Sequence, residues 1–174
     1  ATKLLFRDKQ RQLHLFDIKT QKRTTLLTYC NYVQWVPESD VVVAQSRGDL
    51  CVWYSIDAPD RVTIVPIKGE VIGIKRENGV TSVIVTEGLS GYINYDLEEG
   101  LIEFGTALEG KEYEKAAEKL KLLTITPEIE AMWKQLSKVV LDDHKFHIAE
   151  KCFAALGDVA KTRYLHKLVK ECEK

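Results

Sequence analysis

The apolar pattern changes its period near Asp96, and no other feature of the sequence constrains the fold more. Before that point, apolar residues fall in short runs rich in β-branched and aromatic side chains. These are Lys3–Arg7, Gln12–Ile18, Thr24–Thr28, Tyr32–Val36, Val41–Gln45, Leu50–Ile56, Val62–Ile67, Val71–Lys75, Ser82–Glu87 and Gly91–Asp96. Such runs suit pleated, half-buried strands, and the Gly, Asn, Asp, Ser and Pro between them suit turns. Ten short strands in close succession predict an antiparallel all-β array over residues 1–96.

The array repeats. Leu4–Phe16 lies over Val41–Trp53 with Leu5 on Val42, Leu13 on Leu50 and Phe16 on Trp53, and Ser82–Asn94 is a weaker third copy. A period near 40 residues with four strands per unit is that of WD40 propeller blades, although Phe16-Asp17 stands where Trp-Asp would and no Gly-His is present. A β-sandwich is the alternative. Counted in blade order the strands form three, four and three, about two and a half blades. The last would lack an outermost strand that a distant N-terminus supplies on closure, since closure removes sheet edges.

After Asp96 the period is helical. Asp96 is expected to cap the first helix with Glu99 completing a capping box, and Leu97, Leu101, Ile102, Phe104 and Leu108 form its apolar face. Tyr113, Ala116, Ala117, Leu120 and Leu123 mark a second helix. Thr126 and Pro127 start a third, carrying Ile129, Met132, Trp133, Leu136 and Val140. Asp142 or Asp143 is expected to cap a fourth with Phe146, Ala149, Cys152, Phe153 and Leu156 inside. Gly157 ends it, and Asp158 caps a fifth with Tyr164, Leu165, Leu168 and Val169 inward. Trp133, Leu136, Ala149 and Phe153 follow the tetratricopeptide spacing, so residues 97–174 read as the start of an α-solenoid of antiparallel helix pairs. No Gly/Ser/Pro linker separates the halves, which predicts a stiff junction around Leu101–Phe104.

Composition limits what such a chain can do. Its net charge is −1, and residues 1–96 carry 12 Lys/Arg against 11 Asp/Glu. That is no basic excess for a phosphate backbone, which argues against nucleic acid. No apolar run approaches the roughly 20 residues of a membrane span. The absence of an initial Met suggests a segment of a longer protein. Cys30, Cys51, Cys152 and Cys172 are widely spaced without a CxxC, which fits reduced, buried thiols. Arg47-Gly48-Asp49 spells an adhesion tripeptide, but the flanking strands make it a hairpin turn in which Gly48 is expected at positive φ.

Few residues offer chemistry. His144, His147 and Cys152 fall on roughly one predicted helix face and are the strongest metal-like or thiol-enzyme cluster, yet structural zinc wants four ligands, and a lone Cys between Phe146 and Phe153 suits a core. Glu98-Glu99 and Asp142-Asp143 stand at helix starts, where the dipole explains them. Trp35, Trp53 and Trp133 suit core positions, with Trp35 or Trp53 the candidate for an exposed contact. No phosphate loop, nucleophile elbow or zinc-protease motif is present, so catalytic, cofactor and metal residues are all expected to be none.

The stretches "YVQWVPESDVVVAQSRGDLCVWYSIDAPDRV", "EGLIEFGTALEGKEY", "TPEIEAMWKQLSKVVLD" and "HIAEKCFAALGDVAKTRYL" resemble the large propeller-and-solenoid subunits of intraflagellar transport complex B. The resemblance covers essentially the whole chain. It implies a non-catalytic scaffold that joins other complex B subunits, and through them kinesin, dynein and cargo, along the ciliary axoneme. It also implies a place on the cytosolic side of the ciliary membrane, and no cofactor. A coatomer-type coat subunit shares the plan and is the alternative.

Overall fold

The structure, a computed structural model, describes residues 2–172. The described residues divide into two compact units, with the division between Glu98 and Glu99.

In the first unit ten strands form three antiparallel meander sheets of three, four and three strands. The first holds β1 (Lys3–Arg7), β2 (Leu13–Asp17) and β3 (Lys22–Leu27). The second holds β4 (Tyr32–Trp35), β5 (Val42–Ser46), β6 (Asp49–Trp53) and β7 (Thr63–Pro66). The third holds β8 (Val71–Glu77), β9 (Val80–Glu87) and β10 (Gly91–Asp96). The three copies of the internal repeat are the hairpins β1–β2, β5–β6 and β9–β10. Their registers differ, however. Leu5 faces Leu15 in the first copy, whereas its counterpart Val42 faces Trp53 rather than Val52. The cause is the turn: residues 8–12 connect the first pair and only Arg47 and Gly48 connect the second. A one-residue slip exchanges the faces of a strand, so the repeat holds in strand order but not in pairing.

The first two sheets share one core of Leu13, Leu15, Cys30, Val42, Ala44, Cys51, Trp53 and Ile56, with Trp35 packed against it. Trp53 is fully buried and donates its indole N–H to the Pro59 carbonyl at 3.0 Å. It is therefore a core residue and not an exposed contact. The second and third sheets are tied by Gln45, itself buried. Its amide nitrogen donates to the Arg47 and Gly69 carbonyls, and its oxygen accepts from the Val71 N–H at 2.8 Å. Arg76 on β8 adds a hydrogen bond to the Pro37 carbonyl at 2.9 Å.

The β5–β6 turn differs from expectation in one respect. Positive φ falls on Arg47, at 56°, and not on Gly48. A two-residue hairpin needs left-handed backbone at its first central position, and here an arginine takes it. A Cβ on Gly48 would meet only the Ile67 carbonyl oxygen at 3.7 Å, an ordinary contact. Arg47→Val is therefore expected to destabilise the unit by about 1–2 kcal/mol, because a β-branched residue tolerates positive φ poorly. Gly48→Ala should change stability by less than about 0.5 kcal/mol. Urea unfolding of the two variants checks the order; a larger loss at Gly48 would contradict it.

The second unit contains α1 (Glu99–Glu109), α2 (Tyr113–Lys121), α3 (Pro127–Asp142), α4 (Phe146–Ala155) and α5 (Val159–Cys172). Successive helices pack on one another through buried stripes: Leu101, Ile102, Phe104 and Ala107 on α1; Tyr113, Ala116, Ala117 and Leu120 on α2; Ile129, Met132, Trp133, Leu136 and Val140 on α3; Ile148, Ala149, Cys152 and Phe153 on α4. Thr126 caps α3, its hydroxyl accepting from the Ile129 N–H with Pro127 in the first turn. Gly157 at φ 73° ends α4, and the Asp158 carboxylate accepts from the Lys161 N–H at the start of α5.

Two expected caps go elsewhere. Asp96 is the last residue of β10, and its carboxylate accepts from the Ser82 hydroxyl across the β9–β10 pair, so α1 starts without it. Asp143 closes α3 instead of opening α4, and its carboxylate accepts from the Tyr113 hydroxyl on α2. That hydrogen bond pushes the phenol up to about 12, helped by desolvation. Tyr164, expected inside, is 64% exposed, while Leu165 beside it is buried.

Candidate functional site

The residues singled out for metal or thiol chemistry do not converge. Cys152 lies fully buried in the α4 stripe, where burial pushes its thiol up to about 12. A thiol held that high supplies almost no thiolate near neutral pH, so it is a poor nucleophile or metal ligand. His147 is on the opposite, exposed side of α4, with Nε2 3.2 Å from the Glu114 carboxylate of α2. Lys151 donates to the same carboxylate at 2.9 Å. This trio bridges α2 and α4 and lowers the Glu114 carboxyl, chiefly through the Lys151 hydrogen bond. His144 sits in the α3–α4 turn at φ 57°, its ring 5.9 Å from that of Phe146. Among the described residues, no three His, Cys, Asp or Glu side chains could hold a metal ion together.

Cys30 and Cys51 lie in the β core, and desolvation pushes Cys51 up to about 11 and raises Cys30 as well. The Cys30 Sγ donates to the Tyr32 carbonyl at 3.2 Å, so it behaves as a packed thiol with its polarity satisfied.

One polar array centred on a buried histidine was not anticipated from the sequence. His14 on β2 is wholly buried, with Nε2 3.1 Å from Asp8 Oδ2 and Nδ1 3.1 Å from Thr25 Oγ1. An acid, an imidazole and a hydroxyl in line superficially match a nucleophile triad. Here, though, the imidazole is wholly buried, with the Phe6 ring centroid 5.1 Å from its own. The array instead anchors a turn: Asp8 Oδ1 accepts from the Gln10 and Gln12 backbone N–H groups. Alternation along β2 would have put His14 on the face opposite Leu13 and Leu15, yet all three are buried.

The Asp8 carboxyl is held below its ordinary value of 3.8, first by the His14 hydrogen bond and then by the Gln12 N–H. A group lowered on folding contributes stability above its unfolded pKa and loses it as pH falls through the folded value. Asp8→Asn should therefore weaken folding at pH 7 and make stability fall less steeply below about pH 4. Urea titrations at pH 7 and pH 3 check this; parallel acid limbs in parent and variant would contradict it.

Polar side chains in both units thus serve turns, caps and ties between elements, and among the described residues no helix is long and apolar enough to cross a membrane. The fold defines a chain of meander β-sheets followed by packed helical hairpins. No protein-family model matches it. Among curated proteins it is 58% identical over 173 residues to Intraflagellar transport protein 172 of Chlamydomonas reinhardtii, covering 99% of this chain and 10% of that protein. It is 55% identical over 165 residues to the Homo sapiens homologue, 95% of this chain and 9% of the relative. It is 42% identical over 169 residues to Intraflagellar transport protein osm-1 of Caenorhabditis elegans, 97% of this chain and 10% of that protein. The chain is homologous to a segment of the intraflagellar transport protein 172 family, and it spans about a tenth of the length of these relatives.

Proposed function

We propose that this chain is a non-catalytic scaffold segment of the intraflagellar transport machinery, acting through protein–protein contacts in the assembly and maintenance of cilia. The observation that carries the reading is 58% identity over 99% of the chain to a protein named for that transport. On this reading the β unit is the C-terminal part of a WD40-type propeller, about two and a half blades. The helical unit is then the start of a tetratricopeptide-like solenoid. The three, four and three grouping of the strands supports the first assignment. Burial of Trp133, Leu136, Ala149 and Phe153 in the α3–α4 hairpin supports the second. The partners are other complex B subunits, with kinesin, dynein and cargo reached indirectly. The place of action is the cilium, at its base and along the axoneme, on the cytosolic side of the membrane.

Affinity isolation of the tagged full-length protein from ciliated cells tests the assignment. Complex B subunits should be recovered with it, and recovery of vesicle-coat subunits in their place would assign the chain to a coat.

A further inference from the structure

We propose that Arg11, Tyr29 and Arg47 form a docking point on the β unit for an acidic peptide segment of a partner protein. The three residues are far apart in sequence: Arg11 is in the β1–β2 turn, Tyr29 between β3 and β4, and Arg47 in the β5–β6 turn. The fold brings both guanidiniums over one ring, Arg11 at 5.6 Å and Arg47 at 5.9 Å from the Tyr29 centroid. Arg11 also donates to the Tyr29 hydroxyl at 2.8 Å. A third arginine, Arg7, braces the site by donating to the Cys30 and Asn31 carbonyls at 3.2 and 3.0 Å.

Both Arg11 and Arg47 are exposed, and neither has a carboxylate partner among the described residues. Two like charges sharing one aromatic ring repel each other, offset by the ring face and by the Arg11 hydrogen bond to the Tyr29 hydroxyl. An incoming pair of carboxylates would relieve that repulsion. It would also find guanidinium edges already oriented, which favours Arg-to-carboxylate pairing. The β unit has nearly balanced charge, and three arginines are too few to hold a duplex or an anionic membrane, so the complement is a short acidic stretch of protein. The proposal deepens the scaffold reading by giving the chemistry of one contact, but it rests on β-unit geometry alone.

Fluorescence anisotropy of a labelled hexaglutamate peptide with the full-length protein tests it. Arg11 and Arg47 both sit at positive φ, so glycine suits the backbone at either position. The double variant Arg11→Gly/Arg47→Gly is expected to weaken binding about tenfold or more, since it deletes both charge-assisted pairs. Tyr29→Phe should keep most of the affinity and Tyr29→Leu should not. Arg61→Gly, an exposed arginine elsewhere, should leave it unchanged. Equal loss with Arg61→Gly would overturn the proposal in favour of non-specific attraction. Equally effective competition by inorganic phosphate, or by phosphatidylserine vesicles at matched charge, would overturn it in favour of a bare-anion site. Either failure leaves the recovery of complex B subunits unaffected, so the two readings can fail separately.

Discussion

Gly69→Ala is expected to destabilise the β unit by about 3 kcal/mol, at the upper end of what overpacking does. A Cβ at Gly69 would lie 1.7 Å from the Thr86 carbonyl oxygen and 2.8 Å from its carbon. These are backbone atoms of β9, and they cannot rotate aside as a side-chain tip can. The displacement would also fall on the tie between the second and third sheets. The Gly69 carbonyl accepts from Gln45 at 2.9 Å, and the next residue, Glu70, accepts from the Thr86 backbone N–H at 3.0 Å and donates its own N–H to the Thr86 hydroxyl at 2.9 Å. Gly73 on β8 is the internal control, because a Cβ there meets nothing within 4 Å. Hydrogen exchange read by peptide should show Gly69→Ala deprotecting β8, β9 and the end of β5, with Gly73→Ala close to the parent. Equal protection in both variants would contradict the packing described at Gly69.

The second large effect lies in the helical unit. Phe104 is 2% exposed on the stripe by which α1 packs on α2. Phe104→Asp removes an aromatic ring and introduces a carboxylate at a buried position. The expected loss is about 2–4 kcal/mol. The measurement is helical circular dichroism on heating. Phe104→Asp should lower the midpoint by several degrees, whereas Leu122→Asp, at a position 82% exposed, should not. A Phe104 variant as stable as the parent would mean that the stripe does not carry the packing.

What the sequence disclosed follows from which forces are local. Strands and helices were legible because burial imposes a period of 2 or 3.6 on the apolar residues. Thr126, Gly157 and Asp158 were legible as caps because each acts within one turn of its own position. Asp96 and Asp143 were misread because a carboxylate beside a helix start can be taken by a stronger distant donor, here the Ser82 and Tyr113 hydroxyls. The turn at Arg47-Gly48 was legible as a turn, but which residue takes the left-handed backbone is set by the Ser46–Asp49 pairing register, and glycine content does not reveal that.

The same reasoning explains the candidate site. His144, His147 and Cys152 looked like neighbours on a helix wheel. In the fold α4 starts only at Phe146, which leaves His144 in the turn and turns His147 and Cys152 to opposite sides. The Asp8–His14–Thr25 array and the Arg11–Tyr29–Arg47 cluster join residues from different strands and turns, so no local pattern announces them.

The central claim, that the chain works as a packed scaffold and not through chemistry, is tested most directly by restoring ciliary length in cells that lack the full-length protein. One variant would remove the metal-like cluster of the helical unit, combining His144→Asn, His147→Gln and Cys152→Ala. The other would break packing alone through Gly69→Ala and Phe104→Asp. The account predicts that the first variant restores cilia to normal length and the second does not. Normal cilia with the packing variant, or none with the chemical one at equal protein level and stability, would contradict it.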